Sequence, residues 1–335
     1  MIDFQQPSAV RDAIFSATPD NTESLAIALF RFQYENNQVY NRYCTSIHTV
    51  VEQVDSLYKI PFLPIQFFKS QKVVCNSFTP EMVFESSGTT GSVNSKHAVK
   101  SLSLYEESFQ KTFQQFYGQA EDYCIIGLLP SYLERKNSSL VYMVDDLIKK
   151  SKHPDSGFYL YDFEKLHQTL LHNEARQQRT ILIGVSYALL DFSEQFPMQL
   201  QHTIVMETGG MKGRAKEISK QALHQQLKNN LGTPVIHSEY GMTELLSQAY
   251  SSKDGIFNCP PWMKILLRAA DDPFDILQIE QEPMTGAVNI IDLANVYSCS
   301  FIATDDMGNL YPNGSFEILG RLENADIRGC GLMVL

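Results

Sequence analysis

Short apolar runs alternate with segments of helical periodicity along most of the chain, and this alternation constrains the fold more than any other feature. Three runs, at residues 124–129, 181–185 and 203–206, are typical of buried strands. The segments between them carry apolar residues every three or four positions, as one face of a helix does. The alternation predicts an α/β fold.

Three helices are predicted in detail. The first follows Ser103, where Ser103 and Glu106 form a capping-box pattern, and it stops at Gly118. The third ends before Gly232, and the first 75 residues are also predicted to be mainly helical. The apolar positions that define the second and third helices are Leu140, Met143, Val144, Leu147 and Ile148, and Ile218, Ala222, Leu223 and Leu227.

Composition excludes several classes of protein. Of the 335 residues, 44% are apolar and 19% charged, which is typical of an ordinary globular protein. Basic residues number 27 and acidic residues 38, so the net charge of -11 argues against a nucleic-acid-binding surface. No run approaches the roughly 18 to 20 apolar residues of a membrane span, and the first residues lack the pattern of a secretion signal. We therefore expect a cytoplasmic protein with neither a nucleic-acid partner nor a membrane span.

The cysteines are scattered singly and form no CxxC pair. This spacing indicates neither a zinc ribbon nor a disulfide framework. We expect all but Cys330 to be buried thiols, since unpaired cysteine is among the most buried residue types. The six are Cys44, Cys75, Cys124, Cys259, Cys299 and Cys330.

A loop rich in hydroxyl groups and glycine follows a short apolar strand at residues 82–84. Glycine lets the backbone approach an anion closely, and hydroxyls and exposed amides donate to phosphate oxygens. The alternative is a Ser/Gly surface loop, although an SGTTG core directly after a strand is more specific than that. Neither the Walker pattern nor the dinucleotide fingerprint is present. The loop residues are Ser86, Ser87, Gly88, Thr89, Thr90 and Gly91.

Four further motifs follow this loop in a fixed order. They are Gly209-Gly210 after an apolar strand, YGMTE at residues 240–244, TDDMG at residues 304–308, and Gly320-Arg321. With these motifs the chain resembles the acyl-adenylate-forming enzymes, which comprise acyl-CoA synthetases, peptide-synthetase adenylation domains and luciferases. The resemblance implies their large N-terminal domain, in which helices flank β-sheets, and it implies ATP and magnesium as cofactors.

The resemblance also implies roles for individual residues. Tyr240 would stack on a purine, Thr243 would donate to a phosphate, and Glu244 would hold magnesium, although an acidic residue after a strand is otherwise usually solvated. Asp306 would accept hydrogen bonds from the ribose diol, the alternative being an ordinary turn. The residues expected to contact ATP are Ser86, Ser87, Gly88, Thr89, Thr90, Gly91, Gly209, Gly210, Tyr240, Gly241, Asp306 and Arg321.

Two histidines lie beside these motifs. His97 would help to polarise the carboxylate or the α-phosphate, and the equal alternative is an exposed loop histidine. His237 is predicted to be a hydrogen-bonded histidine at a strand end. The residues that this resemblance makes candidates for catalysis are Thr243, Glu244 and His97.

Two departures narrow the resemblance. The lysine after the phosphate loop, Lys96, is shifted by two positions, and the sequence ends 14 residues after Arg321, where general family members continue into a lid domain with a catalytic lysine. Residues 128–140 and 320–330 are similar to the acyl-protein synthetases of bacterial bioluminescence fatty-acid reductase complexes. We therefore expect an adenylating domain over residues 1–318, with a helical region at about 1–75, and a truncated hinge and tail over 319–335 in place of a full lid. Either the lid lysine is dispensable here or another group replaces it.

The closer resemblance implies a function. The chain would activate a carboxylic acid, expected to be a fatty acid, with ATP and pass the acyl group to the thiol of Cys330, supplying a fatty-acid reductase partner. Gly329 and Gly331 would make the tail flexible, and the alternative is a buried terminal thiol. Two other functions stay open: a ligase that uses free coenzyme A, and a nucleotide-binding scaffold without turnover.

Overall fold

The computed structural model describes residues 4, 6–87, 93–129, 137–209 and 218–322. Its α-helices are α1 (Pro7–Phe15), α2 (Thr22–Asn36), α3 (Gln38–Ser46), α4 (Phe67–Ser70), α5 (Leu102–Tyr117), α6 (Ser139–Ser151), α7 (Phe163–Ala175), α8 (Ser186–Gln195) and α9 (Lys220–Leu231). Short 3₁₀ helices span Val51–Gln53, Leu57–Lys59 and Ala120–Asp122. Most of the described residues up to position 75 lie in these helices, as the sequence predicts.

The strands are short at the start of the chain and longest near its end. They are β1 (Leu63–Pro64), β2 (Met82–Glu85), β3 (Lys96–Val99), β4 (Cys124–Leu128), β5 (Gly157–Phe158), β6 (Thr180–Gly184), β7 (Thr203–Glu207), β8 (His237–Tyr240), β9 (Ala249–Ser251), β10 (Ile256–Phe257), β11 (Met263–Arg268), β12 (Ile276–Leu277), β13 (Met284–Asp292), β14 (Phe301–Leu310) and β15 (Phe316–Arg321). The three apolar runs of the sequence form β4, β6 and β7, as predicted.

The chain divides into two compact units. Unit 1 comprises Met1–Glu81, His97–Lys100 and Asn258–Leu335, and unit 2 comprises Met82–Lys96 and Ser101–Phe257. Each unit is assembled from separate stretches of sequence. For that reason no change of composition marks the borders, and the sequence indicates a single body.

Unit 2 is built on a sheet of six strands in the order β5-β4-β6-β7-β8-β9. The pairs from β5 to β8 are parallel, and β9 runs antiparallel to β8. Every residue of β4 and β6 is buried, because parallel strands joined through helices are covered on both faces. This unit confirms the predicted α/β class.

Unit 1 contains a mainly antiparallel sheet. Its strands follow the order β15-β14-β13-β11-β12, and β1 pairs parallel to β14. The TDDMG motif lies inside β14, with a register shift between Met307 and Gly308. The ordinary turn considered for Asp306 is therefore wrong, since a 10-residue strand holds this segment extended.

The first predicted helix exists, but its predicted cap does not. Helix α5 begins at Leu102, and no side chain caps its first turn. The Ser103 hydroxyl instead lies 2.8 Å from that of Ser101, and Glu106 accepts a hydrogen bond from the Tyr142 hydroxyl. The Glu106 carboxylate, which a capping box would require at the start of the helix, is therefore used in a tertiary hydrogen bond with Tyr142. The helix stops at Gly118, as predicted, with φ +87°.

The other two predicted helices correspond to α6 and α9. Helix α9 begins two residues later than the apolar pattern indicates, so Ile218 precedes it. Ser219 caps it by accepting the N–H of Ala222 at 3.2 Å. Gly232 ends it in the left-handed region at φ +58°.

The cysteines in the described residues are free thiols. Cys44, Cys75, Cys124 and Cys299 are buried, as expected, whereas Cys259 is only partly buried. Burial raises the pKa of Cys44 to about 12 and that of Cys124 to about 11, so neither thiol is reactive near neutral pH. Cys330 lies outside the described residues.

Within the described ranges, none of the helices combines the length and apolarity that crossing a membrane requires.

Candidate active site

The start of the predicted phosphate loop is held at the end of β2. Phe84 is buried in unit 2, with its ring centroid 5.3 Å from that of Tyr105 and 5.9 Å from that of Tyr142. The Ser86 N–H donates to the Ser95 carbonyl at 3.1 Å, and the Ser86 hydroxyl accepts the Ser95 N–H at 2.9 Å. This double contact closes the base of the loop.

Of that loop, the structure describes the first two residues, Ser86 and Ser87. Ser87 is partly exposed, whereas Gly88, Thr89, Thr90 and Gly91 lie outside the described residues. The shifted lysine, Lys96, places its Nζ 3.6 Å from Glu85 Oε1, and its side chain is largely exposed. Its charge therefore stays at the edge of the loop.

Two of the predicted nucleotide-binding segments meet at the carboxyl edge of the unit 2 sheet. Strands β7 and β8 are parallel neighbours with Glu207 opposite Ser238. Gly209 lies two residues beyond Glu207, and Tyr240, the last residue of β8, lies two residues beyond Ser238, so both are at this end of the sheet. In open α/β sheets, ligands bind outside the carboxyl ends of the strands. Gly210 lies outside the described residues.

Gly209 adopts a conformation that glycine favours. Its φ is +73°, and open space surrounds the position a Cβ would take. Its carbonyl accepts the N–H of Ser186 at 2.9 Å, and its N–H donates to Glu207 Oε2 at 2.7 Å. The turn after β7 is therefore fixed by its own strand-end carboxylate.

Glu207 is the centre of a buried polar cluster that the sequence analysis missed. Its Oε1 lies 3.1 Å from Lys220 Nζ and 3.4 Å from His224 Nε2, and its Oε2 accepts the Ser186 hydroxyl at 3.2 Å. The available signal was an acidic residue that ends an apolar strand directly before the glycine pair.

The charge state of Glu207 follows from these contacts. Burial alone raises the pKa of its carboxyl, but the hydrogen bond from His224, the charge of Lys220 and the N–H of Gly209 outweigh burial. The net effect holds the pKa well below its usual range. Glu207 is therefore a carboxylate at neutral pH.

The neighbouring carboxyl, Glu239, has the opposite tendency. Burial, followed by the charge of Glu207, raises the pKa of Glu239 to about 8, although Lys220 opposes this. A Cβ at Gly241 would lie 2.5 Å from Glu239 Oε1, so the side chain of Glu239 packs on the Gly241 backbone. A larger residue at position 241 would therefore displace the Glu239 carboxyl group.

Tyr240 and the acidic end of its motif lie in different environments. The Tyr240 ring is partly exposed, and its centroid is 5.8 Å from that of Phe257. Glu244 is 4% exposed, so the solvated carboxylate considered from the sequence is wrong. Thr243, directly before it, is partly exposed and brings a hydroxyl oxygen to the same turn.

The donor chemistry of Thr243 and Glu244 fits magnesium, a hard cation that binds oxygen ligands and keeps phosphate and water in its coordination shell. In the described residues, no group of three or more His, Cys, Asp and Glu side chains could hold a metal ion. A site here would therefore use one carboxylate together with substrate phosphates.

In unit 1, the predicted ribose ligand and the predicted arginine are neighbours. Asp306 of β14 is opposite Arg321 of β15, and Asp306 Oδ1 lies 3.5 Å from Arg321 Nε. The Asp306 N–H donates to the Thr304 hydroxyl at 3.1 Å. Arg321 is largely exposed, so this ion pair is accessible to solvent.

A second arginine supports the same segment and was missed from the sequence. Arg268 is buried and donates to the Thr304 carbonyl at 2.6 Å, to the Val288 carbonyl at 2.9 Å and to Asn289 Oδ1 at 2.7 Å. Burial lowers its pKa, while the charges of Asp305, Tyr43 and Asp306 act in the opposite direction. Arg268 therefore holds the backbone at the start of the TDDMG motif through its hydrogen bond to the Thr304 carbonyl.

The two histidines near the motifs are both packed in the protein. His97 lies in β3 of unit 1 at 1% exposure, with Nε2 3.0 Å from Asn295 Oδ1 and its ring edge-on to Phe68. The exposed loop histidine considered from the sequence is wrong. In unit 2, His237 Nδ1 lies 3.2 Å from the Tyr117 hydroxyl, and burial lowers the pKa of His237 to about 4. His237 is the hydrogen-bonded histidine that the sequence predicts.

Comparison with solved structures shows the fold. ATP-bound MatB from Rhodopseudomonas palustris is 14% identical with a TM-score of 0.53, covering 73% of this chain and 49% of its own. 2-Hydroxyisobutyryl-CoA ligase in complex with its adenylate is 9% identical with a TM-score of 0.60, covering 96% and 69%. O-succinylbenzoate coenzyme A synthetase (MenE) from Bacillus subtilis, with ATP and magnesium, is 17% identical with a TM-score of 0.50, covering 74% and 51%.

These likenesses confirm the predicted fold of the adenylate-forming enzymes. The chain spans about half the length of the first solved structures it matches. A comparison with curated protein sequences found no match. The family model described as "Acyl-protein synthetase, LuxE" matches residues 12–335, which is nearly the whole chain. The protein therefore belongs to the LuxE acyl-protein synthetase family.

Proposed function

We propose that this protein uses ATP to activate a carboxylic acid, of the fatty-acid class, as an acyl-adenylate. The observation that carries the proposal is that Gly209 and Tyr240 both lie at the carboxyl ends of adjacent parallel strands. The chain that places them there belongs to this family. Support comes from the similar solved structures, whose ligands are ATP, an acyl-adenylate, and ATP with magnesium.

The first half-reaction is a displacement at phosphorus. A carboxylate oxygen of the acid attacks the α-phosphorus of ATP, the bond to the β-phosphate bridging oxygen breaks, and pyrophosphate leaves. Catalysis of such a step relies on alignment and charge stabilisation. Ser86, Ser87 and the hydroxyl of Thr243 would donate to phosphate oxygens. Tyr240 would stack on the base, and the Gly209 backbone would lie against it.

Binding of the ribose and the metal would use the remaining motif residues. Asp306 would accept hydrogen bonds from the ribose hydroxyls, and Arg321 would place a positive charge beside them. Glu244 would hold magnesium, which would neutralise phosphate charge when bound. His97 stays a predicted catalytic residue, although its burial in unit 1 favours a structural role.

The second half-reaction transfers the acyl group. A thiolate attacks the acyl carbonyl, the bond from that carbon to the phosphate oxygen breaks, and AMP leaves. We propose the thiol of Cys330 as the acceptor and a fatty-acid reductase as the protein that takes the acyl group onward. Transfer to free coenzyme A is the second candidate, because two of the similar structures are coenzyme A ligases by name.

Exchange of labelled pyrophosphate into ATP tests the first half-reaction. We expect exchange that requires magnesium and a carboxylic acid, with the greatest rate for a fatty acid among short, medium, long and aromatic acids. Lack of exchange with every acid, while ATP still binds, would leave the nucleotide-binding scaffold as the function of the isolated chain.

The acceptor has a separate test. After turnover with a labelled acid, the wild-type protein should carry label that hydroxylamine releases, and Cys330→Ser should carry none while still supporting pyrophosphate exchange. Cys259→Ser is the matched control, because Cys259 is a free thiol that is only partly buried. Label retained by Cys330→Ser would show that another thiol is the acceptor.

A further inference from the structure

Lys220, the first residue of α9, contacts two separate segments of unit 2. Its Nζ lies 3.1 Å from Glu207 Oε1 and 4.3 Å from the centroid of the Phe257 ring. The Lys220 side chain is 32% exposed, whereas that of Glu207 is 4% exposed. One ammonium group therefore makes an ion pair with a buried carboxylate and a cation–π contact with a ring.

The ion pair leads to the Gly209 turn. Oε1 of Glu207 faces Lys220, and Oε2 accepts the N–H of Gly209 at 2.7 Å and the hydroxyl of Ser186 at 3.2 Å. Since each oxygen has its own partners, Lys220 fixes the rotation of the carboxylate that holds the turn. His224 adds a second contact to Oε1 at 3.4 Å.

The cation–π contact leads to the YGMTE segment. The ammonium group of Lys220 lies over the Phe257 ring. The same ring contacts the Tyr240 ring, with centroids 5.8 Å apart and an interplanar angle of 57°. Phe257 is 1% exposed, so its ring has little freedom to move. Lys220 thus reaches the partly exposed Tyr240 ring through a buried intermediate.

We infer that Lys220 is a positioning residue for the adenine of ATP, which holds the Gly209 backbone and the Tyr240 ring in one arrangement through Glu207 and Phe257. This inference rests on the proposed function, in which those two groups contact the base. Lys220 itself touches neither substrate nor reacting atoms in this account. Its effect should fall on ATP affinity and leave acid recognition unchanged.

Lys220→Met tests the inference, because methionine keeps an apolar stem of similar length and removes the charge. We expect the Kd for ATP, measured by titration calorimetry, and the KM for ATP in exchange to rise about tenfold or more. The KM for the acid should stay within about twofold of wild type. Lys220→Arg keeps the charge and should recover most of the affinity.

Lys253→Met is the matched control. Lys253 is a lysine of the same unit with a largely exposed side chain, and it pairs with the exposed Asp254. Its replacement should leave the Kd for ATP unchanged. An ATP affinity of Lys220→Met equal to that of wild type would overturn the inference.

A pH profile separates positioning from a general loss of structure. In the wild type, Glu207 stays ionised down to low pH. Its titration should therefore not change the affinity for ATP between pH 5 and pH 8. Without Lys220 the pKa of Glu207 rises, so the ATP affinity of Lys220→Met relative to that of wild type should fall as the pH is lowered. His224 and Glu239, the other titratable groups beside this ion pair, are present in both proteins and do not account for a difference between the two profiles. Parallel profiles for wild type and Lys220→Met would contradict the inference.

Phe257→Leu supplies the second variant if Lys220→Met does not fold. It removes the aromatic face and leaves the ion pair, so ATP affinity should fall without the new pH dependence. Wild-type affinity in this variant would overturn the Tyr240 half of the inference. If the wild type binds ATP but supports no exchange, the proposed function fails while the effect of Lys220 on ATP affinity can still be measured.

Discussion

At the scale of single residues, two carboxyl groups in unit 2 respond to burial in opposite ways. Glu207 is surrounded by donors and a lysine, which keep it ionised, whereas Glu239 gains mainly burial and the repulsion of Glu207. When two carboxyl groups interact in a site of low dielectric constant, their pKa values move apart, so that one group ionises and the other keeps its proton.

Glu239 makes the stability of the protein depend on pH. The pKa of its carboxyl rises from 4.5 to about 8 on folding, so the folded state retains a proton that the unfolded chain loses. Stability should therefore decline as the pH rises through this window and level off above pH 8. Glu239→Gln should remove the decline in Tm between pH 5 and pH 8. Glu121→Gln, at an exposed position, should follow the wild type, and a Glu239→Gln curve parallel to it would show that Glu239 titrates normally.

His97 distinguishes a structural from a catalytic interpretation. His97→Ala removes a buried ring and leaves Asn295 without its contact at 3.0 Å. We expect the free energy of unfolding, measured in urea, to fall by about 2 to 4 kcal/mol. Exchange activity per folded molecule should change little. Unchanged stability with lost exchange would instead support the catalytic role that the family resemblance implies.

At the scale of elements, the strand pair β14–β15 brings Asp306 and Arg321 together, and one glycine permits the pairing. A Cβ at Gly308 would lie 2.5 Å from the Glu317 carbonyl oxygen, a backbone atom that cannot move without displacing β15. Gly308→Ala should therefore weaken the pair and lower the free energy of unfolding by about 1 to 3 kcal/mol.

Hydrogen exchange provides the readout for Gly308→Ala. Protection should drop in β15 and in the second half of β14, and the sheet of unit 2 should keep its protection. Gly157→Ala is the control, because a Cβ there meets no atom within 4 Å and the φ is not positive. Full protection of β15 in Gly308→Ala would contradict the close approach that the structure shows.

The sequence predicts elements well where local pattern decides them. Strands β4, β6 and β7 are continuous apolar runs, and α6 carries an apolar stripe, so their existence follows from periodicity. The start of α5 does not, because Tyr142 takes the Glu106 carboxylate away from the cap. The TDDMG segment has turn chemistry, yet pairing in the middle of a sheet outweighs that preference.

The residues of the candidate site, like the elements, are predicted from the sequence only in part. Motif order identifies Gly209, Tyr240 and Asp306, since short patterns with fixed spacing are visible in one sequence. Lys220 and Arg268 have no motif, because their contacts join residues from 13 to 37 positions apart, and only the fold brings such pairs together.

At the scale of the whole molecule, the predicted site residues are distributed over both units. Unit 2 carries Gly209 and Tyr240, and unit 1 carries Asp306 and Arg321. Each set is supported by a cation, the partly exposed Lys220 in unit 2 and the buried Arg268 in unit 1. The solved structures compared share this fold at 9 to 17% sequence identity.

Attack of a carboxylate oxygen on the α-phosphorus of ATP is the central claim, and an isotope label follows that oxygen directly. The protein is supplied with magnesium, ATP and a fatty acid carrying ¹⁸O in both carboxylate oxygens, and the released AMP is analysed by mass spectrometry. We predict one ¹⁸O atom in AMP, since thiolate attack at the acyl carbon leaves the bridging oxygen on phosphorus. Unlabelled AMP, or label in inorganic phosphate with ADP as the product, would contradict the adenylate mechanism.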